Sequence, residues 1–303
     1  MSHVISELDD GNHYPPDDDI RFQESWCLAW YDPHTRLGGF HHFGLQRPRG
    51  IADSWSWMMH EGRLVHKFQN NELPLPEDDM RDLRLQPFHL KTITPLVERA
   101  ITIDHEGFHA DLTYKAFVPP FAQAMTTKGA QIAKAHYETC GRLTGTVKLP
   151  GRDIEISALC FQDNSWGNRE YDKILSHRWL WACFGDDLFL SAFHITGPDG
   201  SMEMGYIFDS GRFHVLTRVD VNVEMSSDGV NATGCRLTVW TAEGRAYRLK
   251  GTCDGASMHT HRGGFIVSDA CTLWEMGGRV GVGITEVNEL KRPTNEIRRL
   301  LNI

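Results

Sequence analysis

The run Phe108-His-Ala-Asp-Leu-Thr-Tyr-Lys-Ala-Phe117 decides the fold class. Phe108, Ala110, Leu112, Tyr114 and Ala116 recur at every second position, with His109, Asp111, Thr113 and Lys115 between them. One face is therefore apolar and the other wet, as in a half-buried strand. The sequence on either side keeps the rhythm. From Ser25 onward, segments rich in Trp, Phe, Val, Ile, Thr and Tyr are broken by turn signals such as Glu61-Gly62, Pro198-Asp199-Gly200 and Gly277-Gly278. An all-β protein of about twenty antiparallel strands is expected.

Two runs further along differ from the first. His177-Arg-Trp-Leu-Trp-Ala-Cys-Phe184 and Asp187-Leu-Phe-Leu-Ser-Ala-Phe-His-Ile195 are apolar at odd and even positions alike. Such strands lie between a core and something else apolar, either a second barrel or a cavity lined by aromatic side chains. Pro119-Pro120 stops a strand, and the polar, Ala-rich stretch Gln123 to Ala135 follows. This sets the expected division near residue 130: an acidic arm over 1–20, one β-domain over 21–130 and a second over 131–303. After Pro293, Thr294 to Leu301 reads as a short C-terminal helix, with Glu296 near its start and Arg298-Arg299 later.

The chain has 303 residues, with 31 Lys plus Arg against 40 Asp plus Glu, a formal charge of −9. Glu7, Asp9, Asp10, Asp17, Asp18 and Asp19 account for −6 of this with no base among residues 1–20, so the remaining body is only −3. The arm is expected to be solvated or to lie loosely on the surface, having few apolar residues to anchor it. A near-neutral body lacks the basic field that nucleic acid or anionic lipid selects for. A hydrophobic small molecule is the expected partner, and the chain is compatible with a homodimer. No apolar run approaches the ~20 residues of a membrane span, and the start is acidic where a signal peptide would be basic and then apolar, so a cytoplasmic location is expected. Seven cysteines without a C-x-x-C pair read as buried free thiols.

Several motifs point away from common chemistries. His105-Glu-Gly-Phe-His109 has the letters of a zinc-protease motif, but that chemistry needs a helix, and strands flank Glu106-Gly107, which is expected to be a hairpin turn. His259 and His261 project to one face of a strand but fall one ligand short of a catalytic zinc site. Gly281-Val-Gly283 sits in a strand pattern, where glycine marks a bulge or close packing. No P-loop and no G-x-S-x-G is present. Neither an organic cofactor nor a metal is expected.

The most unusual run is Gln162-Asp-Asn-Ser-Trp-Gly-Asn-Arg-Glu170. A carboxyl beside an indole in a dry pocket is a usable proton donor, and the indole face stabilises a developing cation. The competing reading makes Asp163 the acceptor of an Asx-turn, Trp166 a core residue and Arg169 the partner of a carboxylate. His136-Tyr137-Glu138 opens the second half and aims a titratable group at the seam, or is the polar start of a strand. Trp26, Trp30, Trp55 and Trp57 outline either an aromatic box or plain core, and His42, His177 and His194 are open to the same two readings.

In this order, Glu24-Ser-Trp26, Tyr31-Asp-Pro33, Gly38-Gly-Phe40, Leu73-Pro-Leu-Pro-Glu-Asp-Asp79, His136-Tyr-Glu138, Gly145-Thr-Val147 and Asp163-Asn-Ser-Trp-Gly-Asn-Arg169 resemble the paired-domain bacterial families related to carotenoid 1,2-hydratases and AttH-like proteins. The resemblance covers nearly the whole chain and extends to kievitone-type hydratases and Diels-Alder cyclases. It implies two lipocalin-like β-barrels side by side, with a hydrophobic ligand at or near their interface and the Asp163 stretch as a site. The expected activity is a cofactor-independent hydratase or dehydratase acting on a C=C bond or tertiary alcohol of an isoprenoid, steroid-like or polyketide-like molecule. Asp163 is the expected general acid, Trp166 the cation stabiliser, and Arg169 and Glu170 the groups that orient or tune the acid. Tyr137, Glu138, His42, Trp26, His177 and His194 are expected around the substrate. A cyclase or isomerase using the same pocket, and a non-catalytic carrier, are the alternatives.

Overall fold

The structure is a computed structural model that describes residues 4–127, 129–227, 229, 231–261 and 265–289. Among the described residues it contains nineteen antiparallel strands, in two sheets. The first holds β1 (Phe22–Asp32), β2 (Leu37–Gln46), β3 (Ile51–His60), β4 (Arg63–Pro74), β5 (Asp82–Leu85), β6 (Phe88–Thr94), β7 (Glu98–His105), β8 (Phe108–Ala116), β9 (Phe121–Thr127), β10 (Ala130–Leu149) and β11 (Arg152–Asn168). Its order is β4-β3-β2-β1-β11-β10-β8-β7-β6-β5, with β9 added beside β10. The second is a closed barrel of β12 (Ser176–Cys183), β13 (Leu188–Gly197), β14 (Gly200–Asp209), β15 (Arg212–Met225), β16 (Ala232–Thr241), β17 (Ala246–His261), β18 (Phe265–Met276) and β19 (Arg279–Glu289).

Alternation explains both cores. In β8, Phe108, Ala110, Leu112 and Tyr114 enter a cluster with Trp26, Trp30 and Phe88. Phe68 and Leu73 of β4 and Leu83 and Leu85 of β5 join the same cluster, so the first sheet curls until its two edges share a core. The barrel closes by pairing β12 with β19 and fills with Leu180, Leu190, Ile207, Leu237, Leu249 and Trp274. The Trp274 indole lies over two glycines of neighbouring strands: an added Cβ would meet it at 2.8 Å from Gly251 and at 2.8 Å from Gly283. Close packing, one of the two sequence-level readings of Gly281-Val-Gly283, is what the structure shows.

The strands that are apolar on both faces are the wall between the two halves. Leu180 and Ala182 of β12 point into the barrel, whereas Trp179 and Trp181 point out and meet Phe161 of β11 at ring-centroid distances of 4.8 Å and 5.6 Å. The turn expected at Glu106-Gly107 joins β7 to β8, with φ of 49° and 83°. The boundary expected near residue 130 coincides with the β9–β10 hairpin inside the first sheet; the change of sheet falls between Asn168 and Ser176. The proposed C-terminal helix and the side chains of His259 and His261 lie outside the described residues.

Among the described residues the acidic arm is anchored at Asp10 and His13. Asp10 is buried and accepts from Arg99 Nη2 at 2.6 Å and from the Tyr137 hydroxyl at 3.2 Å. His13 stacks on Trp166 with ring centroids 3.6 Å apart. The expectation weighed the scarcity of apolar residues; buried partners for a charge and an imidazole anchor the segment instead.

Candidate functional site

The long strands β10 and β11 pair with Glu138 opposite Asp163 and His136 opposite Ser165. Their alternation sends His136, Glu138, Asp163 and Ser165 towards the barrel and Tyr137 and Trp166 to the opposite face. His136 Nε2 lies 3.2 Å from Asp163 Oδ2 and 3.4 Å from Glu138 Oε1. Burial alone would depress the imidazole, but the hydrogen bond to Asp163 and the charges of Glu138 and Asp163 outweigh it, and the His136 pKa is raised. Burial pushes Glu138 up to about 7, against the opposing pull of His136 and Ser191. Glu138 Oε1 accepts from Ser191 Oγ of β13 at 3.0 Å, and Ser191 Oγ accepts from Trp179 Nε1 at 3.2 Å. This hydrogen-bonded chain ties the two walls together.

Between these walls is a cavity of about 120 Å³, several times what a single water requires. Its first-sheet side carries Ser25, Phe40, His42, Trp55 and Asp163, and its barrel side His177, Trp179, Phe193, Glu286 and Asn288. His42 stacks on Trp55 at 4.8 Å, and His177 on Phe193 at 5.7 Å. Burial pushes His177 down to about 3, so its ring is neutral near pH 7. Asn288 Nδ2 donates to Glu286 Oε1 at 2.5 Å and lies 2.9 Å from His177 Nδ1. Arg169 enters from the end of β11, held by the carbonyls of Ile132 and Ser165 and by Ser165 Oγ at 2.9 Å. Aromatic faces thus surround a cluster of acids, imidazoles and one guanidinium.

The structure brings Asp163, Arg169, His42 and His177 together at the cavity and places Glu138 directly behind His136. Four expected residues lie elsewhere because alternation turns them away. Trp166 packs with His13 and Tyr137 on the far face, and Tyr137 reaches Asp10. Trp26 fills the first-sheet core beside Phe43, and His194 points to a polar surface hollow near Arg178 and Arg218. Glu170 stands outside as well, bridging Arg21 at 2.9 Å and Lys173 at 2.7 Å. The carboxylate partner expected for Arg169 is replaced by carbonyl oxygens. The sequence reading did not single out Glu286, Asn288 or Asp269. The available signal was period two: Val282, Ile284, Glu286 and Asn288 share one face, and an acid follows two apolar residues on it.

Fold and site define a paired β-sheet protein with an acid–base cavity where a curled sheet meets a closed barrel. The chain belongs to the family described as a domain of unknown function, DUF7064, whose profile matches residues 6–291. No curated protein matches the sequence. Among solved structures, a Nitrosomonas europaea protein assigned as AttH is similar at 17% identity and TM-score 0.72, covering 94% of this chain and 96% of that one. Kievitone hydratase from Nectria haematococca is similar at 13% identity and TM-score 0.66, covering 88% of each chain. CghA is similar at 13% identity and TM-score 0.64, covering 91% of this chain and 90% of its own, and has also been solved with Sch210972. These likenesses establish a shared fold.

Proposed function

We propose that the protein is a hydratase or dehydratase that adds or removes water at a C=C bond or tertiary alcohol of a hydrophobic isoprenoid, steroid-like or polyketide-like molecule. The observation that carries this reading is the His136–Asp163 pair, buried on the wall of an aromatic-lined cavity. Gain or loss of water needs one group to move a proton at carbon and another to move one at oxygen. Residues of the cavity supply both without an organic cofactor. The indoles of Trp55 and Trp179 line the cavity and would stabilise a developing cation there, the role expected of Trp166. At about 120 Å³ the cavity holds the reacting end of such a molecule, with the rest of it lying in the mouth.

A carrier would need the cavity alone. Burying His136, Glu138 and Asp163 costs desolvation that their pairing only partly offsets, and a carrier has no need of such a cluster, which argues against simple carriage. A cyclase is the second reading, favoured by the rings of Phe40, Trp55, Trp179 and Phe193, which would hold a flexible substrate folded. Its structural neighbour is CghA, whereas kievitone hydratase accords with the first reading.

The test pairs wild type with Asp163→Asn on the tertiary alcohols linalool and nerolidol and their dehydrated alkenes, then on polyketide analogues. Wild type converts at least one of these, and the variant, folded by circular dichroism, loses ~10²–10⁴ in turnover. Full activity in the folded variant removes Asp163 from the mechanism. Tight binding by wild type without conversion establishes a carrier.

A further inference from the structure

We propose that Glu286 is the proton donor that faces the substrate from the barrel wall, with Asp269 as its positioning residue. This rests on the acid–base reading above and adds to it the group that His136 and Asp163 leave unassigned.

The register of β18 and β19 carries the argument. Asp269 stands directly opposite Glu286, and both are buried. Opposed side chains on neighbouring strands have Cβ atoms about 4.5–5.5 Å apart, and two ionised carboxylates at that spacing repel. In a site shielded from water the pair keeps a proton. Glu286 lines the cavity, whereas Asp269 sits behind it and accepts from the Trp57 indole of β3 at 3.4 Å. A residue of the other sheet thus holds the second carboxyl of the dyad from across the seam.

Burial and the neighbouring carboxylates favour the neutral acid at Glu286, against the opposing hydrogen bond from Asn288. From β19 itself Asn288 donates to its Oε1, and from β12 His177 approaches that oxygen at 3.4 Å with a ring that burial keeps neutral. From β18 and β11, Asp269 and Asp163 add negative charge, with Cys27 of β1 and the Tyr171 hydroxyl also within its field. Burial pushes Asp269 up to about 7, and burial with the neighbouring Asp269 charge raises Glu286 well above the usual carboxylate range.

In the hydration direction the Glu286 O–H bond breaks and a C–H bond forms at one alkene carbon, leaving the cation at the other. Water adds there through its oxygen and gives a proton to the Asp163 carboxylate, which is paired with His136. Transfer of that proton through water back to Glu286 resets the site. Alkene plus water gives alcohol with no change in electron count, and dehydration is the reverse.

Two measurements test this. Infrared difference spectra of the full chain at pH 7, without substrate, should show the C=O stretch of a protonated carboxyl that disappears in Glu286→Gln. Absence of a Glu286-dependent band overturns the proposal whatever the activity. On a linalool- or nerolidol-type substrate that wild type converts, Glu286→Gln should lose ~10²–10⁴ in kcat with KM little changed. Full turnover in the folded variant overturns the donor role. Should Glu286→Gln not fold, Asp269→Asn decides: removing the neighbouring charge makes Glu286 a stronger acid, so the alkaline limb of the pH–rate profile moves to lower pH. A uniform loss at every pH, with the limb unmoved, marks Asp269 as merely structural and overturns its part. If wild type converts nothing while the Glu286 band is present, the hydratase reading fails and takes the donor role with it, whereas the protonated dyad stands.

Discussion

The barrel interior and the seam between barrel and first sheet are made by opposite faces of the same strands, and they differ in what they bury. Inside, Leu180, Leu190, Ile207, Leu237, Leu249 and Trp274 form an apolar cluster. Among the described residues of β12–β19 the buried charged side chains are Asp269 and Glu286, which face the seam instead. On the opposite wall of the seam are His136, Glu138, Asp163 and Arg169. Burial in itself therefore does not distinguish a site from a core. Ionisable groups buried where packing leaves a gap do.

The sharpest way to break this contrast is Trp274→Ala, which empties the space over Gly251 and Gly283 in a closed interior. It should lower stability by ~3–5 kcal/mol, read from chemical denaturation. A loss under ~1 kcal/mol would mean that the barrel interior is not the structural region. Next is Asp10→Ala, which leaves Arg99 buried without its carboxylate. The expected loss is about 3 kcal/mol, at the lower end for a broken buried pair because water can follow where the N-terminal segment loosens. An unchanged melting temperature would restore the picture of a loose arm.

The pH dependence separates the regions by sign. At the seam, Glu138 and Asp269 are raised to about 7 from lower values in the unfolded chain. Folding retains their protons, so the stability they contribute is present below about pH 4 and is lost as pH rises towards 7. In the first-sheet core, burial holds His41 down at about 3, where Trp30 Nε1 donates to its Nε2 at 3.1 Å and Ser56 Oγ lies 2.9 Å from Nδ1. The unfolded chain takes up that proton near pH 6.5, so this contribution is present above 6.5 and is lost as pH falls towards 3. Each group changes stability by at most about 1.4 kcal/mol per pH unit within its window. His41→Gln should flatten the acid side of the stability profile, and Asp269→Asn should gain on wild type as pH rises from 4 to 7. Parallel profiles for the two variants would erase the distinction. The smallest effect belongs to Glu170→Gln, whose exposed bridges to Arg21 and Lys173 contribute under ~1 kcal/mol. Its turnover should equal that of wild type, and a large loss would place the site further out than the cavity.

The fold was legible wherever the signal lies within one strand. Alternation in Phe108–Phe117 and apolarity on both faces of His177–Phe184 each depend on a single run, and the structure follows both. The site was legible in part. Asp163 and Arg169 reach the cavity, but grouping residues by nearness in sequence joined Trp166 and Glu170 to them, although alternation along Gln162–Trp166 already separates Asp163 from Trp166. Glu286 and Asp269 lie more than a hundred residues further on. Their pairing depends on the β18–β19 register, and the approach of Glu286 to the cavity of Asp163 on the docking of two sheets, neither of which is written in any local pattern.

The position of β1 has a consequence for how the protein is made. Residues 22–31 pair with residues 159–168, in the middle of the first sheet. A ribosome releases β1 long before its partner exists, so the nascent chain carries an open, apolar strand edge while more than a hundred further residues are added. Such distant pairing slows folding and exposes the edge to misassociation. The cavity wall, whose Asp163 and Ser165 lie on that late-arriving strand, is thus among the last features of the first sheet to form.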